Sequence, residues 1–242
     1  MYKPGAFPEL ISRENWHASW VEWFIKESES AHAKCRRWDA PDEYPFTPRE
    51  MLPPAILPPV KYPHLLYDHG INVNRRIYEH YRDVVVPSIT GVAADDDGQY
   101  GSAACRDVEL LSALSRRIHF GMFVSESKFR SDPKAFLEPI RNEDKDTLLA
   151  LITKPQVEAA LLVRLRQKAE VYGQDLNNAV AALKSGAGGG GAGGSTSGST
   201  SGSAAHEHEH HSKIEADEVV KLYESFVIPL TKVVEVDYLL KR

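Results

Sequence analysis

Apolar side chains recur at helical spacing along most of this chain, and no stretch sustains the every-second-residue alternation of a half-buried strand, so the pattern predicts helices without a sheet. Trp16, Trp20, Trp23, Phe24, Ala31 and Cys35 predict an amphipathic helix over residues 10–38, ending in Arg36-Arg37. A second is predicted over 72–89, with Ile77, Tyr81, Val84 and Val85 on its apolar face. A long helix then starts from a cap at Ser102 and runs through Arg106, Leu110, Leu114 and Arg117 to Phe129, with Ile118, Phe120, Phe123 and Phe129 as apolar bulk. Beyond the Asp132-Pro133 break come short helices over 133–142 and 145–151, and a longer one from Pro155 to Tyr172 with proline in its first turn. The last helix spans 213–242 through Val219, Leu222, Phe226, Ile228, Leu230, Val234, Tyr238 and Leu239. The expected fold is all-α, a helical bundle-like single domain over 1–242.

Three stretches interrupt this pattern. From Pro41 to Pro63 there are eight prolines, which excludes regular helix. Phe46, Met51, Leu52, Ile56, Leu57, Val60 and Tyr62 interleave them, so an ordered crossover packed on the domain is expected rather than a disordered linker. The acidic turn DDDGQYG follows the second helix. Residues 185–212 are a Gly/Ser/His tract that cannot bury a core, and they predict a disordered insertion before the terminal helix.

Charge narrows the function. Acidic residues outnumber basic ones by 34 to 29, a net charge of −5, which argues against a nucleic-acid surface and makes any anion site local. Cys35 and Cys105 have no disulfide or zinc spacing, no stretch approaches the length of a membrane span, and the first residues lack signal architecture. A soluble cytoplasmic protein is the expectation. The cluster HEHEHH at 206–211 has metal-ligating side chains, but it hangs on a flexible tract without fixed geometry, so no functional metal site is expected.

The candidate chemistry lies in SRRIHFGMFVSESKF, residues 115–129. Arg117 and Lys128 are eleven residues apart, almost three helical turns, which puts them within roughly 20° of each other around a continuous helix and about 16 Å apart along it. Such a gap suits a small, doubly charged anion rather than a polymer. Thr231 and Glu235 are four residues apart, on one face of the terminal helix, and Glu158 lies in the first turn of another. Taken singly, each of these is commonly a solvated charge or a cap.

Several separate segments, in order, resemble the all-helical chorismate mutases of fungi and plants: AHAKCRRWDAPDEYPF, TPREMLPPAILPPVKYP, INVN, YGSAACRD, LSRRIHFGMFVSESKFRSDP, KAEVYG and VIPLTKVVEVDYLLKR. The resemblance covers nearly the whole chain outside the Gly/Ser/His tract. It implies the rearrangement of chorismate to prephenate in phenylalanine and tyrosine biosynthesis, a unimolecular reaction that needs neither metal nor cofactor. Catalysis then comes from holding a compact conformer and stabilising charge on the breaking ether oxygen. By the same resemblance Arg117 clamps a carboxylate, Lys128 donates to the ether oxygen and a carboxylate, Glu158 accepts from the substrate hydroxyl, Thr231 contacts a carboxylate, and Glu235 lies beside the ether oxygen in protonated form. Lys154 occupies a position where yeast-like members carry a substrate-contacting asparagine.

The family also implies a homodimer regulated by tyrosine and tryptophan. Arg36 and Arg37 match its effector-binding arginines, Gly101-Ser102 the loop that meets the effector from the other subunit, and Cys105 replaces a threonine one turn further on. Family members begin with an additional long helix carrying another carboxylate-binding arginine. This chain starts after it, and Arg13 is not at the matching place. The rival expectation is therefore a non-catalytic or truncated member acting as an amino-acid-binding regulatory subunit.

Overall fold

The computed structural model describes residues 1–67, 70–90, 98–173 and 215–242. They form helices, turns and extended segments with no strand among them. The Gly/Ser/His tract, with its histidine cluster, falls outside the described residues. The chain divides into two compact units, one of Met1–Lys154 with Leu222–Arg242, the other of Pro155–Lys221.

In the first unit, α1 (Pro8–Glu14) and α2 (Trp20–Lys34) replace the single helix expected over 10–38. Asn15 in the left-handed conformation ends α1, and a reciprocal capping box between Ser19 and Glu22 starts α2. The core face also differs from expectation. Val21, Ile25, Glu29 and Ala33 are buried, while Ala31 and Cys35 are exposed and Trp20, Trp23 and Phe24 are half-buried. Glu29 is accommodated because its carboxylate accepts from the amides of Phe46 and Thr47, at 2.7 Å each, and so fastens the start of the proline-rich segment to α2. Past that anchor the expected packing fails: Met51, Ile56, Leu57, Val60 and Tyr62 are exposed.

Next come α3 (Asn74–His80), a π-turn (Tyr81–Val85) and α4 (Val86–Ile89). The wide turn rotates the face that follows, so Val85 and Val86 are buried and Val84, expected inside, is exposed. A second π-turn (Tyr223–Val227) precedes the terminal helix. Each is followed within two residues by a proline, Pro87 or Pro229, whose ring displaces the carbonyl four residues earlier and favours the extra residue in the turn.

The long helix expected from Ser102 to Phe129 is two, α5 (Tyr100–His119) and α6 (Gly121–Ser131), separated by Phe120. Gln99 stands at the start of α5 and Ser102 lies inside its first turn, so the expected serine cap is not formed. Phe120 is 52% exposed, not part of the core. After α7 (Pro133–Arg141) and α8 (Lys145–Ile152), the second unit supplies α9 (Pro155–Gly173) and most of α10 (Ala216–Leu222), where Arg166 pairs with Asp217.

The terminal helix, α11 (Ile228–Leu240), is the axis of the first unit. Leu230, Val234 and Tyr238 join Ile77, Leu111, Ile118 and Met122 in one apolar cluster, while Val236 and Leu239 join Phe129, Phe136, Leu148 and Ile152 in another. A helix buried on both sides cannot roll, which fixes the direction of every side chain on it. Its end is latched by Glu126, which accepts from Arg242 Nε at 2.7 Å, Arg130 Nε at 2.6 Å and Tyr238 Oη at 2.8 Å. Burial alone would raise the Glu126 carboxyl, but these donors together hold it down at about 2.

Candidate active site

Buried contacts set the rotation of α5. Ser115 Oγ donates to Asn74 Oδ1 at 2.7 Å, His119 Nδ1 donates to the Ser115 carbonyl at 2.8 Å, and His119 Nε2 accepts from the Val73 amide at 3.1 Å. The two adjacent arginines then diverge. Arg116 turns outward to Asp42 Oδ2 at 3.0 Å and Glu43 Oε1 at 3.5 Å. Arg117 is half-buried and makes no hydrogen bond or ion pair to another described residue, so its guanidinium donors are open to a ligand.

On α6, Lys128 Nζ donates to the Ile152 carbonyl at 2.6 Å and stands 3.4 Å from Glu235 Oε2. The Ile152 carbonyl belongs to the last turn of α8, where helical acceptors lack partners and a cation is favoured. One ammonium hydrogen remains uncommitted by these two contacts.

Glu235 is 7% exposed. Burial pushes its carboxyl above the ordinary glutamate value and outweighs the opposing charges of Lys128, Arg117 and Lys232. The raised carboxyl stands beside two cations, Lys128 and Arg117. Thr231, one turn earlier, is also buried, and its hydroxyl donates to the Val227 carbonyl at 2.6 Å. It presents lone pairs until that hydrogen is redirected, so the carboxylate contact implied for it requires a hydroxyl rotation.

Arg117, Lys128, Thr231 and Glu235 thus gather around one turn of α11. Glu158 stands half-buried in the first turn of α9, within the second unit, and Lys154 is exposed at the end of the first. An open cleft of about 930 Å³ lies elsewhere, lined by residues within 38–50, 62–67 and 70–75, and none of these six residues lines it. Two nearby contributors carry weak sequence signals: Gly121, a glycine opening a helix, and Ser125, four residues on and on the same face.

Arg36 and Arg37 lie just past the C-terminal end of α2. Arg36 donates to the Leu57 carbonyl at 2.5 Å and Asp39 Oδ2 at 2.9 Å, while Arg37 pairs with Glu43 at 3.1 Å and keeps a buried Nε without a partner. Gly101, Ser102 and Cys105 are exposed at the start of α5. That end of α5 meets the opposite end of α2, through Phe7, whose ring lies 4.9 Å from Tyr100 and 5.8 Å from Trp20. The two groups thus lie at opposite ends of α2, whose fifteen residues span about 22 Å.

The first unit is thus helical, without strands among its described residues, and it holds two cations, Lys128 and Arg117, beside a buried carboxyl whose burial raises its pKa. No protein-family model matches the chain. It is 38% identical over 243 residues to the chorismate mutase of Pichia angusta, covering all of this chain and 76% of that protein. It is 37% identical over 229 residues to the chorismate mutase of Saccharomyces cerevisiae, covering 94% and 78%. Among solved structures it matches the chorismate mutase of Candida albicans in complex with L-Trp, with a TM-score of 0.82, 35% identity, and coverage of 100% and 79%. The chain belongs to the chorismate mutase family.

Proposed function

We propose that this chain rearranges chorismate to prephenate at the turn of α11 carrying Thr231 and Glu235. The observation that carries the reading is the carboxyl of Glu235, buried and thereby raised above its ordinary value, 3.4 Å from Lys128, with Arg117 unpaired among the described residues. As the carbon–oxygen bond of the substrate breaks and the new carbon–carbon bond forms, negative charge grows on the ether oxygen. Lys128 and protonated Glu235 donate to it from fixed positions, which costs no reorganisation during the reaction. Arg117 clamps a carboxylate and Thr231 contacts one after its hydroxyl turns, while the roles of Glu158 toward the ring hydroxyl and of Lys154 as a weaker contact rest on the family resemblance alone. No nucleophile, metal or cofactor enters this scheme. We read 1–242 as one mutase domain, and the free, exposed thiols of Cys35 and Cys105 favour a reducing compartment, the cytoplasm.

The test is the disappearance of chorismate absorbance beside Arg117→Ala. The expected result is turnover by the wild type, with kcat/KM lower by about 100-fold in the variant, the usual scale for one charge-assisted clamp. No turnover by a folded wild-type protein would instead identify a non-catalytic, amino-acid-binding member.

Regulation by aromatic amino acids rests on the Candida albicans complex with L-Trp and on AtCM1, solved with tyrosine bound in its allosteric site. The length of α2, about 22 Å, separates Arg36-Arg37 from Gly101-Ser102 within one chain, too far for one amino acid to bridge. A site using both groups therefore takes them from two copies, which supports a homodimer. Light scattering is expected to give twice the chain mass, and Arg37→Ala to lose the response of turnover to tyrosine and to tryptophan while keeping the effector-free rate. A monomer with a full response would overturn this.

A further inference from the structure

We propose that Gly121 is a positioning residue for the mutase site: by leaving out a side chain it lets α11 approach α6 closely enough to set where Thr231 and Glu235 stand. The inference rests on the mutase reading of those two residues. Glycine is among the weakest helix formers, and Gly121 does not adopt a positive φ, so backbone freedom does not account for it. The space around it does. A Cβ built there would lie 2.9 Å from Thr231 Cγ2, 3.0 Å from Glu235 Cγ and 3.2 Å from the Thr231 carbonyl oxygen. The first two atoms belong to the proposed site residues, and the third is backbone of a helix packed on both sides, which cannot yield by a rotamer change.

Two further residues of α6 address the same turn. Ser125, fully buried, donates from Oγ to the Glu235 carbonyl at 3.2 Å, and Lys128 reaches the Glu235 carboxyl at 3.4 Å. Gly121, Ser125 and Lys128 therefore meet the side-chain stem, the backbone and the acid group of one residue, in that order along α6. The charges acting on Glu235 are Lys128 from α6, Arg117 from α5 and Lys232 from its own helix. From α7 and α8, Phe136, Leu148 and Ile152 pack against Val236 and Leu239.

Gly121→Ala is expected to push α11 outward by tenths of an ångström, admit water to Glu235 and misplace its proton. A displacement of this kind is expected to lower kcat by about 10- to 100-fold with little change in KM. It also moves the titration of Glu235 to lower pH, followed by carbon NMR of the carboxyl. That titration needs no turnover, so it tests the placement even if the wild type proves inactive and the mutase reading itself fails. Thr231→Ser removes the Cγ2 methyl that the new Cβ meets, and adding it to Gly121→Ala is expected to recover part of both losses relative to Thr231→Ser alone. Should Gly121→Ala not fold, Ser125→Ala carries the test, with a few-fold fall in kcat and a shift of the Glu235 titration in the same direction. A folded Gly121→Ala with unchanged kcat and Glu235 titration would overturn the proposal, as would a Ser125→Ala that changes neither. Lower thermal stability with both readouts unmoved would mean a packing role only.

Discussion

Lys128→Ala is expected to lower kcat by about 1,000-fold, the upper end for loss of one preorganised donor to a developing oxyanion. The ammonium is fixed before substrate arrives: the Ile152 carbonyl holds one hydrogen at 2.6 Å, and Glu235 Oε2 lies 3.4 Å away. Because α6 and α8 grip it from both ends, the proposed donation to the ether oxygen would need little reorganisation. The substitution also leaves the end of α8 without its cation, so part of the loss is expected as a small drop in thermal stability. Lys128→Met, which keeps much of the stem's packing, separates the contributions: its stability is expected to lie nearer the wild type while its kcat falls equally. Single-turnover rates at saturating chorismate provide the measurement. A fall of less than 10-fold in both variants would remove Lys128 from the reacting atoms.

The helices were legible from periodicity because that signal is local, and the choice between continuous and broken helices was not. The residues 10–38 show why. Trp20, Trp23 and Phe24 look like a core stripe, yet they join Phe7 and Tyr100 in a half-buried aromatic cluster. The core takes Val21, Ile25 and a carboxylate, Glu29, whose amide partners lie 17 and 18 residues further on. Periodicity treats a glutamate as solvent-facing because it cannot see those amides. The Ser19–Glu22 capping box that starts α2 was also missed, although its S-x-x-E spacing is local, because the apolar spacing on both sides of it suggested one continuous helix.

The site divides in the same way. Arg117, Lys128, Thr231 and Glu235 were singled out by spacing and by resemblance, and they share one region because α5, α6 and α11 pack together. Gly121 and Ser125 were not singled out, since their meaning lies in contacts with residues 110 positions away. Small residues four apart on a helix are common, and only the approach of α11 distinguishes this pair.

For Glu235→Gln the expected result is a reversal of rank with pH. Burial raises the folded-state value of Glu235 above the ordinary 4.5, against the pull of Lys128, Arg117 and Lys232. In the proposed scheme the active form is the neutral acid, so activity is expected below the folded value and is expected to be lost as pH rises through it, by about 10-fold per unit beyond. A bound dianion raises that value further, which moves the decline of kcat to higher pH than that of kcat/KM. Glutamine is neutral at every pH and donates from its amide, so the variant is expected to be slower than the wild type in mild acid and nearly flat to pH 9. Two units above the wild-type midpoint it becomes the faster enzyme. Stability follows the same sign: because the folded value is raised, the unfolded chain ionises first, and the stability present below 4.5 is lost as pH rises from there to the folded value. Glu235→Gln removes that cost, so its melting temperature is expected to fall less than the wild type's between pH 5 and 9. A wild-type rate confined to alkaline pH, or a glutamine variant with the same decline, would mean that another group carries the proton.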